Sequence, residues 1–324
     1  MGLSGFYRRT HRDRTRAESI VFVVASIAIG LATLDAVAWV AGFGHVAARL
    51  RELNPIWFLV AFGAEAVAYV GYVFAYREVA RVESGPDMPA GDAVAAVAAG
   101  FGPFVARGGF AVDVHAFRQA GVSDHDIRVR VLGLGALEYA LLAPAACAAS
   151  ILLLVQGVAK PSWALTLPWA IAVPLGFVAA LWAVEHRERF GIDSLAGQAL
   201  ESIHVLRCLF VRPRHLVGPL GTAVYWFGDI VCLWACLEAF THGTPDVALL
   251  LIGYATGYAL SRRTLPLAGA GAVEALLPFA LSWCGISLAA AVLAVFAYRV
   301  FNLRLPTVPA AFGLRRMKAS PRAS

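Results

Sequence analysis

The chain has 324 residues, 60% of them hydrophobic and 15% charged, with a mean hydropathy of +0.70. Soluble domains run at about 45–50% apolar and about 25% charged, so a water-soluble globule is excluded and the excess apolar surface has to face lipid. Lys and Arg outnumber Asp and Glu by 27 to 21, a formal +6, which in so apolar a chain reports on topology and anionic headgroups and not on nucleic acid.

The apolar runs are long and continuous where barrel strands would alternate. They predict an all-α polytopic transmembrane helical bundle of about 7–9 segments. Residues 1–18 form a basic N-terminus, and apolar residues run from Ile20 to Phe43. Ala36-Val37-Ala38 looks like a signal-peptide cleavage site, but the run continues past it and exceeds an h-region. An uncleaved first helix with a cytoplasmic N-terminus, in the cell membrane, is expected.

Further spans are Ile56–Tyr76, Val131–Val155, Trp163–Val184, Leu216–Phe240, the short Asp246–Leu260, and Ser287–Phe301. Two segments, 93–112 and 262–284, are apolar but broken by Gly and Pro. Between them, 190–211 carries Ile192, Leu195, Ala199, Ile203, Leu206 and Phe210 at helical spacing. That pattern predicts an amphipathic helix lying on the cytoplasmic membrane surface. The transmembrane unit is bounded at 19–306, and a basic tail occupies 307–324. Seven clean spans would leave that tail outside; one crossing by a broken segment returns it to the cytoplasm, the version we favour.

The broken segments echo each other. The first reads Pro103, Gly108, Gly121-Val122-Ser123, then Glu138-Tyr139; the second reads Pro266, Gly271, Gly285-Ile286-Ser287, then Tyr298-Arg299. A helix break at membrane depth must be covered by protein or line a wet cavity. Paired Gly/Pro-interrupted segments in two halves point to a transporter's midplane site, where broken helix N-termini attract anions such as a phosphate headgroup.

Ionisable residues at that depth cost about 2.5–3.5 kcal/mol each, which makes them functional candidates. Glu274 is expected to pair with an arginine or a lipid amine, or to pin the broken helix. Arg107 could hold a lipid phosphate bidentately. Arg262 and Arg263 read as interface markers. Glu138 and Arg299, at similar places in the two halves, are candidate charge partners. Asp229 and Glu238 could serve proton coupling, although nine residues of helix put them on opposite faces. Asp35 and Glu65 read as bundle-interior residues.

Other signals are weaker. Cys147, Cys208, Cys232, Cys236 and Cys284 do not form a disulfide framework. Cys232 and Cys236 share a face with no His or further Cys to complete a metal set. Ser123-x-x-Asp126 reads as a helix cap and not a metal motif, and Gly253-x-x-x-Gly257 as helix packing. No dinucleotide fingerprint, HExxH, P-loop or nucleophile elbow is present. No metal and no cofactor are expected.

Pro266, Gly269, Gly271 and Glu274 form P-x-x-G-x-G-x-x-E, with Gly285 and Tyr298-Arg299 following. This resembles the signature of the lysylphosphatidylglycerol synthase transmembrane region, the YbhN-type flippase-like membrane family. Pro103, Arg107 and Gly108 are similar to that family's other motif, although Gly109 stands where the family has Glu and Tyr139 where it has Arg. The resemblance spans Ala93 to Pro306. It implies re-entrant segments, a role in moving or handling lipids, and a substrate-binding set of Arg107, Gly108, Glu138, Pro266, Gly269, Gly271, Glu274 and Arg299. The lysine-transferring members append a soluble aminoacyl-tRNA-using domain; the chain ends after the membrane region, so that enzyme activity is expected to be absent.

The function expected is therefore that of a flippase-like transporter. Its partners would be membrane phospholipids or lipid-linked headgroups and not nucleic acid, with a second copy or an envelope enzyme left open as a protein partner. The alternatives are a membrane transferase acting on a lipid carrier, for which no Asp-rich Mg²⁺ motif is present, and a non-catalytic accessory subunit of an envelope enzyme.

Overall fold

The computed structural model describes residues 16–101, 109–157, 163–189, 194–241, 243, 246–258, 266–304 and 309. Among them there are no strands. The helices are α1 (Arg16–Ala41), α2 (Phe43–Arg51), α3 (Trp57–Arg81), α4 (Ala90–Phe101), α5 (Gly109–Gln119) and α6 (Asp124–Val155), then α7 (Trp163–Glu185), α8 (Leu195–Val211), α9 (Val217–Glu238), α10 (Val247–Tyr258), α11 (Ala272–Trp283) and α12 (Leu288–Arg299). The chain is an all-α bundle. Five helical stretches are long and apolar enough to cross a membrane: Ile20–Ala41, Trp57–Ser84, Asp124–Val155, Trp163–Glu185 and Pro213–Glu238. That is compatible with an integral membrane protein. α7 shows why hydropathy reads so clearly here: Leu175, Phe177, Val178 and Leu181 all point outward, a surface that only lipid can cover.

The centre of the bundle is the crossing of α3 and α9. A methyl at Gly71 would lie 2.6 Å from the Gly221 carbonyl, one at Gly221 2.5 Å from the Gly71 carbonyl, and one at Gly228 2.5 Å from the Ala64 carbonyl. Without Cβ atoms the backbones approach to van der Waals contact, the usual basis of helix association in lipid. Gly71 meets Gly221, whereas Ala64 and Ala68 meet Gly228. One helix descends as the other rises, so the pair is antiparallel.

The two halves share a construction. α5 ends with Gly121 at φ +89°, and α11 ends with Gly285 at φ +99°. In each turn the next amide reaches back five residues, Val122 to Phe117 (3.0 Å) and Ile286 to Leu281 (3.2 Å), which is the Schellman closure of a helix. Ser123 then caps α6 by accepting from the Asp126 amide (3.2 Å), and Ser287 caps α12 by accepting from the Ala290 amide (3.3 Å). The cap reading of Ser123-x-x-Asp126 thus holds. The offset is 164 residues from Gly121 to Gly285 and from Ser123 to Ser287; the same offset takes Ala64 to Gly228 and Glu65 to Asp229. α3–α6 and α9–α12 are therefore repeats, and their leading helices run oppositely. That is the inverted-topology arrangement found in many transporters.

The second break is real: a 3₁₀ turn over Pro266–Gly269 precedes α11. Leu267 and Gly269 both have positive φ, and Gly271, at φ +87°, starts the helix. α1 lies over this break, because a methyl on Gly271 would meet Ile29 at 2.8 Å. The first break, 102–108, lies outside the described residues and falls between α4 and α5.

Three expectations shift. The surface helix begins at Leu195, capped by Ser194, with 190–193 outside the described residues. Its docked face is Gln198, Ser202, Val205 and Leu209, with Val205 against Gly133 of α6. The apolar stripe through Ala199 and Phe210 is turned outward instead. Asp35 is exposed and not interior: Leu34, Val37 and Ala38 form the packed face of α1, and a step of about 100° per residue carries Asp35 off it. Gly253 and Gly257 pack within the chain, against Leu281 and Leu277 of α11.

Candidate functional site

Glu274 occupies the first turn of α11. Its Oε2 accepts from the Gly271 amide (2.8 Å), and its Oε1 accepts from Arg299 Nε (2.9 Å). The carboxylate is fully buried and Arg299 is 1% exposed. Of the two partners expected for Glu274, the arginine is the one found. The anion expected at this broken helix N-terminus is the protein's own carboxylate, placed where the helix dipole favours it.

Arg299 leads into a larger polar core. Its Nη1 donates to Asn302 Oδ1 (3.4 Å), which also accepts from the Tyr258 hydroxyl (3.1 Å). Asn302 sits in a π turn, Val300–Arg304, that continues α12; such turns swing a side chain off the regular helical face and recur at functional sites. Its Nδ2 donates to Asp229 Oδ1 (2.7 Å) and Glu65 Oε1 (3.3 Å). Asp229 Oδ2 accepts from the Tyr298 hydroxyl (2.9 Å) and from the Tyr254 hydroxyl. Glu65 and Asp229 also hydrogen-bond each other. Two carboxyl groups can do that only if one of them carries a proton. The network thus brings three carboxyl groups and one guanidinium together from α3, α9, α11 and α12, ringed by tyrosines of α10 and α12.

A second polar group lies in the N-terminal repeat. The Tyr72 hydroxyl donates to Glu138, whose backbone carbonyl accepts from Trp226 Nε1 (2.9 Å). Asp113 is buried close enough to Glu138 and Tyr76 to interact with both. Ring contacts connect the two groups, from Tyr72 through Tyr225, Trp226, Tyr254 and Tyr258 to Tyr298, with centroids 4.7–5.9 Å apart.

Sequence reasoning places Gly269, Gly271, Glu274 and Arg299 correctly in one neighbourhood. Pro266 opens the turn beside them. Arg107, Gly108, Arg262 and Arg263 lie outside the described residues. The expected partnership of Glu138 with Arg299 is replaced: Arg299 holds Glu274, and Glu138 is served by Tyr72. Counting 164 residues from Glu138 reaches Asn302, so Asn302 is its true counterpart. Asp229 works with Glu65 and not with Glu238, which lies more than two turns along α9. Asn302, Tyr254 and Tyr258 escape the sequence motifs; a residue-by-residue count between the repeats is the signal that flags Asn302.

A cavity of about 510 Å³ opens at the Gly285-Ile286-Ser287 turn, lined also by Arg49, Leu237 and Thr241. None of the network's side chains lines it. Glu274 is enclosed by protein on all sides.

Comparison with protein-family models gives no match, and comparison with curated proteins gives no significant one.

Proposed function

We propose that the chain is a flippase-like lipid transporter of the family its second motif resembles, taking an anionic or amine-bearing headgroup between its inverted repeats. The observation that carries this reading is the meeting of Glu65 and Asp229. They are equivalent residues of antiparallel helices, so their contact sits on the pseudo-twofold axis relating the halves. Substrate and coupling sites of inverted-repeat transporters lie on that interface.

The chemistry suits a phospholipid. Arg299 presents a guanidinium whose resting partner is a carboxylate, and a lipid phosphate is an equivalent bidentate acceptor. A phosphate that displaces Glu274 frees that carboxylate for a headgroup amine. Desolvated charges at this depth are costly, and a purely structural helix break needs only the cap from Glu274. The further acid pair, with its shared proton, is a means of changing the site's charge by one during a cycle. On this reading the protein works in the cell membrane with its N-terminus in the cytoplasm, and it needs neither a cofactor nor aminoacyl transfer.

The test is leaflet exchange of headgroup-labelled phosphatidylglycerol and phosphatidylethanolamine by the purified chain in liposomes. Exchange should exceed that of protein-free vesicles, and Arg299→Gln should slow it at least tenfold. Unchanged exchange in both Glu274→Gln and Arg107→Ala would refute the proposed site.

A further inference from the structure

The surface helix α8 carries a cluster that the transport reading does not use. His204 Nε2 lies 2.9 Å from Glu83 Oε1 and 3.6 Å from Cys208 Sγ. One donor atom from each residue falls within 4.8 Å of the other two. His204 and Cys208, at i and i+4, share a face of α8. Glu83 comes from a different element, the segment that ends α3.

That segment is held in an unusual shape. Glu83 and Ser84 have φ of 55° and 63°, a left-handed conformation costing about 1–2 kcal/mol per non-glycine residue. α6 keeps it there: Arg130 Nη1 donates to the Val79 and Val82 carbonyls (3.0 and 2.9 Å). A methyl on Gly85 would run into the Ala80 carbonyl and Arg130. The strained backbone aims Glu83 at His204, whereas an ordinary helix end would send it into solvent. Strain of this kind concentrates at functional sites.

We propose that Glu83, His204 and Cys208 bind a zinc-type divalent cation that ties α8 to the end of α3. The donors are an imidazole, a thiolate and a carboxylate, the set that zinc takes in tetrahedral sites. Ordinary zinc–ligand lengths put tetrahedral nitrogen–sulfur and nitrogen–oxygen edges at about 3.6 and about 3.4 Å. The first equals the observed separation, and the second requires Glu83 to withdraw by about half an ångström. The Glu83 and His204 side chains are 47% and 55% exposed, so the ion can enter from water and a fourth position stays open. Cys208 is buried and free, and it gives its proton to solvent on binding. α8 belongs to the connection between the repeats and Glu83 to the first repeat, so the ion would clamp a joint of the transporter.

The experiment uses the full chain in detergent, stripped with chelator and titrated with Co²⁺ as a spectroscopic stand-in and then with Zn²⁺. Wild type should show a saturable sulfur-to-cobalt charge-transfer band near one ion per chain. Cys208→Ser should abolish the band, and His204→Ala and Glu83→Ala should weaken binding at least tenfold. His125→Ala, an exposed neighbour, should change nothing. No saturable band in wild type, or a band that survives Cys208→Ser, means an adventitious ion only and overturns the proposal. If Cys208→Ser does not fold, wild-type affinity retained by both His204→Ala and Glu83→Ala overturns it equally. Lipid exchange is not the readout, so this site stands or fails apart from the transport reading.

Discussion

Glu65 and Asp229 hold the same position in two oppositely running copies of one helix, and they touch. Asp229 is also the common acceptor for Tyr298, Tyr254 and Asn302. Asp229→Leu leaves those donors buried without it, at about 1–3 kcal/mol for each group left unsatisfied. Asp229→Asn keeps the shape and can still hydrogen-bond Glu65, but it removes the exchangeable proton. The leucine variant should therefore lose the folded state in thermal melts, while the asparagine variant should stay folded.

Glu274 and Arg299 form a fully enclosed ion pair. Removing one partner strands the other charge, at about 3–5 kcal/mol. Glu274→Gln and Arg299→Gln should each lower the melting temperature strongly. The double change Glu274→Leu with Arg299→Met should recover part of the loss, because neither charge is then stranded. A double-mutant cycle on the detergent-solubilised protein measures the coupling.

The α3–α9 crossing depends on the absence of side chains. Gly221→Ala and Gly71→Ala put a methyl into a facing backbone, so both should destabilise by about 1–3 kcal/mol, as overpacking does. At Gly63 and Gly135 an added methyl would meet nothing within 4 Å, and alanine there should be neutral or stabilising. Parallel thermal melts of the four variants check the contrast.

If the halves are repeats, equivalent changes should have matching consequences. Ser123→Ala and Ser287→Ala should each cost about 0.5–2 kcal/mol through loss of a cap. Gly121→Ala and Gly285→Ala should each cost about as much again, because both force a methyl into positive φ. Costs that differ widely between the two members of a pair would argue against equivalent turns.

Much of this is legible in the chain. The long spans follow from continuous apolar runs, and Pro266, Gly269 and Gly271 announce a break that the backbone contains. The surface helix is visible too, but its docked face is not. Ala199 and Phe210 are apolar because they face outward, while Gln198 and Ser202 lie inside against α6; in lipid the inside-outside rule weakens because both sides of a helix are apolar environments. Matching Tyr298-Arg299 to Glu138-Tyr139 by likeness of residue type puts the repeat register several residues off. Counting from the capping serines gives Asn302 instead. The contact of Glu65 with Asp229 cannot come from either helix alone, because it exists only where the two antiparallel copies cross.

The most direct test of the central claim is leaflet exchange of labelled phosphatidylglycerol in liposomes holding equal amounts of folded wild-type or Asp229→Asn protein. The account predicts clear acceleration by the wild type and a rate near that of empty vesicles for the variant. Wild-type exchange no faster than empty vesicles, or a variant as fast as wild type, would contradict it.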